Sequence, residues 1–274
     1  MADNTTIIEP KKGFSSVNLK ELWQFRELLY FLAWRDVKVK YKQRAVGIVW
    51  AILQPFLTMV VFSVLFGGFA RIPSEGVPYP VFVYLGLLPW QYFASVLSQS
   101  TQSVVSEKNL ITKIYFPRII MPASSAISSL LDFAIAAAVL AVMMIYYGAG
   151  VGPGILLFPL LILLTMINAV GFGMWFSALN VRYRDIQYAL PFLIQIWMFV
   201  TPVIYPVSIT GGRFRILLSL NPMAGVIEAM RPAVLGHLPI PWGLLLLSAI
   251  TGLVVFIGGV FYFRRVERYF ADVI

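Results

Sequence analysis

Arg35-Asp-Val-Lys-Val-Lys-Tyr-Lys-Gln-Arg44 leads, after three residues, into Ile48-Val-Trp-Ala-Ile-Leu-Gln-Pro-Phe-Leu57 and on to Phe69. A dense cationic block therefore abuts residues 48–69, which carry no charge at all. About 22 helical residues at about 1.5 Å each span about 33 Å, enough to cross the apolar core of a bilayer. Cations beside a first span are held on the cytoplasmic side. This boundary fixes the N-terminus inside and sets the sense of every later crossing. The soluble alternative is a surface helix followed by a buried core helix. It is outweighed because apolar runs of similar length recur five more times.

Composition agrees. The 274-residue chain is 59% hydrophobic and 12% charged, where soluble domains carry about 25% charged residues. The net charge of +9 does not point to nucleic acid, because the cations gather at span ends. With no Cys and a single His, His237, disulfides, thiolate chemistry and a multi-His metal site within one chain are excluded. Residues 1–18 are polar, and no cleavable signal peptide is expected.

Outward from the boundary, residues 1–18 read as a disordered tail and residues 19–274 as one membrane domain. Asn18-Leu-Lys-Glu21 is an N-cap signature. Apolar residues at helical spacing follow, which predicts an amphipathic interface helix over 19–33, or a helix packed only on protein. The expected spans are 48–69, 81–104, 119–147, 155–179, 189–205 and 242–263. The fifth is short and bracketed by Pro191, Pro202 and Pro206. Residues 207–240 hold two apolar pieces too short to cross, broken by Asn221-Pro222, Arg231-Pro232, Gly236 and Pro239. They predict a helical hairpin that dips into the outer leaflet and returns, or else an ordinary outer loop. The fold class is all-α: six transmembrane helices, an N-terminal interface helix and a re-entrant hairpin between spans five and six. On that topology nine Lys and Arg precede the first span, three fall in 105–118, two in 180–186 and three after the last. Only Arg71, Arg213, Arg215 and Arg231 of the 21 fall outside. Both termini are therefore expected inside.

The chemistry is sparse. Gly-Lys never occurs, so the chain lacks a P-loop and any nucleotide site of that kind. Serine catalysis through His237 would have no acid nearby. Asp132 is the one acid well inside a span, on a helical face with Ser125, Ser128 and Ser129. That face reads as a polar channel wall or as interhelical hydrogen bonding. Glu107, Lys108, Lys113, Tyr115 and Arg118 cluster on a short inside helix, and Arg182, Arg184 and Asp185 in a tight inside loop. Each cluster is a solvated surface or a docking face for a soluble motor.

Six motifs in order carry a resemblance: the Arg35 block with Gly47 and Trp50-Ala-Ile-Leu-Gln-Pro, then Gly86-Leu-Leu-Pro-Trp90, Asn180-Val-Arg-Tyr-Arg-Asp-Ile186, Thr201-Pro-Val-Ile-Tyr-Pro206 and Leu220-Asn-Pro-Met223. The chain resembles the Wzm-like permeases of ABC transporters that export O-antigen, capsule or teichoic acid. The resemblance implies a homodimer in the bacterial inner membrane with two Wzt-like ATPase subunits, which would bind ATP and Mg. It implies export of polysaccharide linked to undecaprenyl pyrophosphate, with no enzyme activity in this chain. Residues 107–118 would then be the coupling helix. Asn221, Pro222, Glu228 and Arg231 would belong to the periplasmic gate. Lys38, Lys40, Lys42 and Arg44 are candidates to receive the pyrophosphate, although topology alone accounts for their charge. Phe62, Phe66, Trp90, Trp197 and Phe199, with Asp132, are candidates for the channel, the aromatics offering rings on which sugar CH faces slide. Packing or lipid contact is the plainer role for any one ring. A proton-coupled carrier working through Asp132 and a membrane enzyme acting on lipid-linked sugar remain as competing classes. The second needs paired acids or a metal site, and no such cluster is evident.

Overall fold

The computed structural model describes residues 19–42, 47–211, 217–236, 238–268 and 270, with side chains from residue 22 and, after the first gap, from residue 49. The expected tail at 1–18 lies outside the described residues, as do Arg44, Arg213, Arg215 and His237. The α-helices run in order as α1 (Leu19–Gln24), α2 (Arg26–Lys42), α3 (Gly47–Phe62), α4 (Tyr79–Ser106), α5 (Lys108–Lys113), α6 (Ile120–Tyr146), α7 (Phe158–Arg182), α8 (Ile186–Val200), α9 (Ala224–Leu235) and α10 (Trp242–Glu267). No strand occurs among the described residues.

Five stretches are long and apolar enough to cross a membrane: Val49–Phe69, Tyr79–Ser106, Ile120–Tyr146, Pro153–Arg182 and Trp242–Glu267. Each coincides with an expected span. The first is α3 continued by a π-helical segment, Ser63–Phe69. The fourth is α7 with a 3-10 turn, Pro153–Leu157, before it. The expected span at 189–205 is shorter as a helix. α8 has 15 residues, about 22 Å. It stops at Thr201 because Pro202 disfavours helical backbone at the residue before it.

The core sits around α4. Residues 81–90 of this helix are buried without interruption, as expected for a helix that is apolar on every side. It packs against α6, α7, α3, α8 and α9. Small residues and tyrosine hydroxyls set these contacts. Tyr84 and Tyr92 donate to the carbonyls of Ala136 and Ala126 at 3.1 and 3.0 Å. A Cβ at Gly86 would stand 2.7 Å from the Val203 carbonyl oxygen, so only glycine lets that turn lie on α4. By contrast α3 is thinly covered. Trp50 and Val61 on it, and Val64 and Phe69 on the π-helical segment that continues it, lie exposed, a surface for lipid or another chain.

The N-terminal helix is longer than its expected 19–33. α1 and α2 break only at Phe25, and α2 continues to Lys42. Residues 34–42 contain neither Gly nor Pro, and Lys40 and Lys42 lie in the last turn, where cations complement the helix dipole. α2 packs on α6 and buries Leu32 and Ala33. Its other side presents Tyr30, Phe31 and Trp34, and α1 presents Trp23. In the 207–240 region α9 is buried from end to end apart from Glu228. It ends at Gly236 with φ 75°, a left-handed position that favours glycine.

Candidate functional site

A cavity of about 940 Å³ opens between α2, α3, α4, α6 and α8. Aromatic rings of Trp50, Trp90, Tyr92 and Phe133 form part of its wall. Gln54, Gln91, Ser95, Ser98, Ser129 and Gln195 supply amides and hydroxyls. Among the described lining residues the charged pair is Lys40 and Asp132. Lys40 Nζ donates to Asp132 Oδ2, and the Tyr41 hydroxyl donates to Asp132 Oδ1. Burial, and behind it Asp132, raise the Tyr41 phenol well above its ordinary pKa, so it stays a donor. Gln99 Nε2 donates to Ser95 Oγ at 2.7 Å and to Ser129 Oγ at 3.0 Å, which orders one polar edge. An apolar wall with a few fixed polar groups is the usual make-up of a ligand cavity.

The structure brings Lys40, Trp90 and Asp132 into this one cavity. It does not bring the other described entrance and channel candidates there. Phe62 and Phe66 meet edge to face at 5.6 Å and pack on the core. Trp197 is held within a ring cluster, 4.8 Å from Phe172 and 5.1 Å from Phe93. Phe199 lies exposed on α8. Lys38 stands 5.4 Å over the Trp34 ring, and Lys42 is exposed. Sequence reasoning missed Tyr41, the glutamines of the wall and Arg35. The signal for Tyr41 was the need of a lone intramembrane acid for partners.

At one end of the bundle α5 carries exposed Lys108, Lys113 and, just after it, Ile114 and Tyr115. Glu107 does not share that exposure. Arg35 donates to it through two nitrogens, Nη1 to Oε2 at 3.0 Å and Nη2 to Oε1 at 2.6 Å. Arg35 also donates to Asp36 Oδ1. The Glu107 bond, then Asp36, raise the Arg35 pKa against the effect of burial. Arg118 is tied to the end of α10. Its Nη1 donates to the Glu267 carbonyl, its backbone N–H donates to Glu267 Oε1 at 3.1 Å, and the guanidinium lies 5.7 Å over Phe270. Arg182, Arg184 and Asp185 are exposed between α7 and α8, with Arg182 5.4 Å over the Tyr183 ring.

The expected gate residues form a third cluster. Arg231 is 1% exposed. It donates to Glu228 Oε2 at 2.7 Å and to the carbonyls of Pro202 and Val203 at 2.8 and 2.9 Å, and sits 3.7 Å over the Phe82 ring. Glu228 Oε1 accepts the Val207 N–H at 3.2 Å. The Asn221-Pro222 turn is clasped by three helices. Trp197 Nε1 donates to Asn221 Oδ1, Asn168 Nδ2 donates to the Pro222 carbonyl, and Ser248 Oγ donates to the Asn221 carbonyl.

The family model described as ABC-2 type transporter matches residues 27–235. This chain belongs to that family. The O-antigen export system permease protein RfbA of Myxococcus xanthus is 29% identical over 255 residues, 92% of this chain and 97% of the relative. A protein of the same name from Klebsiella pneumoniae is 26% identical, over 90% of this chain and 95% of the relative. The polysialic acid transport protein KpsM of Escherichia coli is 27% identical, over 85% and 91%. These findings support the resemblance carried by the six motifs. As an ABC-2 permease the chain is a multi-pass membrane protein and a transport subunit rather than an enzyme, with ATP hydrolysis in a separate subunit.

Proposed function

We propose that this chain is the permease of an ABC exporter that moves undecaprenyl-pyrophosphate-linked polysaccharide, O-antigen in the first place, from cytoplasm to periplasm across the bacterial inner membrane. The observation that carries the reading is the cavity, whose rings and amides suit a glycan, in an ABC-2 chain whose relatives are named export permeases. The working unit is a homodimer with two Wzt-like ATPase subunits that bind ATP and Mg. Thinly covered α3 and α8 supply an apolar face for the second copy. Residues 19–274 act as one membrane domain with both termini cytoplasmic. α8 completes a sixth crossing together with the non-helical residues 201–205. α9 serves as the buried arm of a periplasmic gate, and Lys108, Lys113 and Tyr115 enter the ATPase. The similarity to a polysialic acid transport protein favours capsule export as the second reading.

The test is purification of the tagged chain from its native membrane, with ATPase assay and analysis of surface polysaccharide in a strain lacking the gene. A stoichiometric ATPase and loss of lipid-linked O-chain establish the reading. Loss of capsule with O-antigen intact selects the second. A chain that purifies alone and still transports on a proton gradient sinks both, and makes Asp132 the residue to pursue.

A further inference from the structure

Lys40 projects into the cavity, yet the cavity is electrically balanced, because Asp132 opposite accepts its proton donor. The two partners differ in how firmly they are held. The Lys40 side chain is 41% exposed and that of Asp132 is 22% exposed. Lysine is a compact charge on a flexible stem, whereas Asp132 is anchored on α6. Asp132 also has a second donor in the Tyr41 hydroxyl. If Lys40 swings away, the carboxylate keeps one hydrogen bond and is not stranded. An ion pair this exposed amounts to no more than about a fivefold factor in an equilibrium. A diphosphate offers more charge and more acceptor oxygens than one carboxylate, so it can displace Asp132 from the lysine. A weak monoanion cannot.

We propose that Lys40 is an exchangeable ligand for the phosphate-bearing head of the substrate, and that Asp132 is its built-in competitor, keeping the site closed to weaker anions. This rests on the export reading for the source of the phosphate. The exchange also has a mechanical consequence. It leaves α2 held to Asp132 of α6 by the Tyr41 hydroxyl alone, while Arg35 continues to hold α2 to Glu107, directly before α5. Occupancy of the cavity is thereby felt at the exposed docking helix.

The experiment is a binding titration on the full chain in lipid nanodiscs, without ATPase, read by the fluorescence of Trp50 and Trp90, which line the same cavity. The probes are inorganic pyrophosphate, a polyprenyl diphosphate and the uncharged polyprenol. Lys40→Gln should weaken diphosphate binding about tenfold or more, and Lys40→Arg should restore most of it. Asp132→Asn should do the reverse and tighten binding about two- to fivefold, because the competitor is gone. If Asp132→Asn fails to fold, Asp132→Ser carries the same expectation. A pair that merely braces the helices would give losses of the same sign for both substitutions, and that result overturns the proposal. So does wild-type protein that binds neither diphosphate, or binds polyprenol equally well. The opposite signs seen with pyrophosphate alone support exchange with a free phosphate source; seen only with the polyprenyl diphosphate, they support exchange with the lipid head. Because no ATPase enters the titration, failure here is separate from failure of the export reading, which the co-purification decides.

Discussion

Replacing Arg231 with methionine removes a guanidinium that is 1% exposed and has four partners: Glu228, two carbonyls of the turn after α8, and the Phe82 ring. Methionine fills comparable space, so cavity formation is a minor part of the cost. The main cost is electrostatic. Glu228 would be left with the Val207 N–H as its remaining donor. The Pro202 and Val203 carbonyls would lose theirs. Breaking a buried ion pair from one side costs about 3–5 kcal/mol. The Glu228 side chain retains 13% exposure, which places the expectation at about 3 kcal/mol. The double variant Arg231→Met with Glu228→Gln strands no charge and should recover about half of that loss. Unfolding by added SDS in mixed micelles, followed by circular dichroism, gives both differences. A single-variant cost below about 1 kcal/mol refutes the buried-pair reasoning, as does a double variant no more stable than Arg231→Met.

Three further outcomes follow from the same packing. Gly86→Ala puts a methyl 2.7 Å from the Val203 oxygen and 3.1 Å from Arg231 Nη2, so it should cost about 1–3 kcal/mol and lower the melting temperature; an unchanged melt counts against the close approach. Arg35→Gln loosens Glu107 but, since both groups are partly exposed, should change stability by no more than about 1 kcal/mol. Amide exchange over 107–113 should nevertheless quicken, and no change there would mean that Arg35 does not hold the start of α5. Lys108→Glu with Lys113→Glu lies on an exposed surface and should leave stability within about 0.5 kcal/mol, while co-purification of the ATPase falls at least about tenfold; full recovery of the ATPase would move the docking face elsewhere.

What the sequence made legible is what depends on neighbours along the chain. The Val49–Phe69 and Trp242–Glu267 spans begin within a residue of expectation, because length and hydropathy are local. Pro202 already marked the stop of α8, but the expected span ran on to residue 205 on hydropathy alone. The polar contacts are a different matter. Arg35 finds Glu107 across 72 positions and Lys40 finds Asp132 across 92, and nothing local to either member names the other. The sequence places Arg231 among the outside cations and in the outer hairpin, without showing that it is buried. Its burial is a property of α9 lying against α4, which no periodicity in 224–235 reveals. Trp197 read as a channel ring for the same reason: its partners Phe93 and Phe172 come from α4 and α7.

The cationic block on which the expected orientation rests also shows how one stretch carries two demands. Orientation needs only positive charge beside the first span, and any of the block's residues supplies it. Contacts need position. Lys42 is exposed and Lys38 lies over the Trp34 ring of its own helix, so neither is shown tying α2 to another element. Arg35 and Lys40 are five residues apart on α2 and reach acids on different elements, Glu107 at the end of α4 and Asp132 on α6. Five residues turn a helix by about 140°, which is why the two cations face different neighbours from one rigid segment. A helix fixed at both points cannot shift against the start of α5 without also moving its hold on the cavity wall, and that physical linkage sets Arg35 and Lys40 apart from the other described cations of the block.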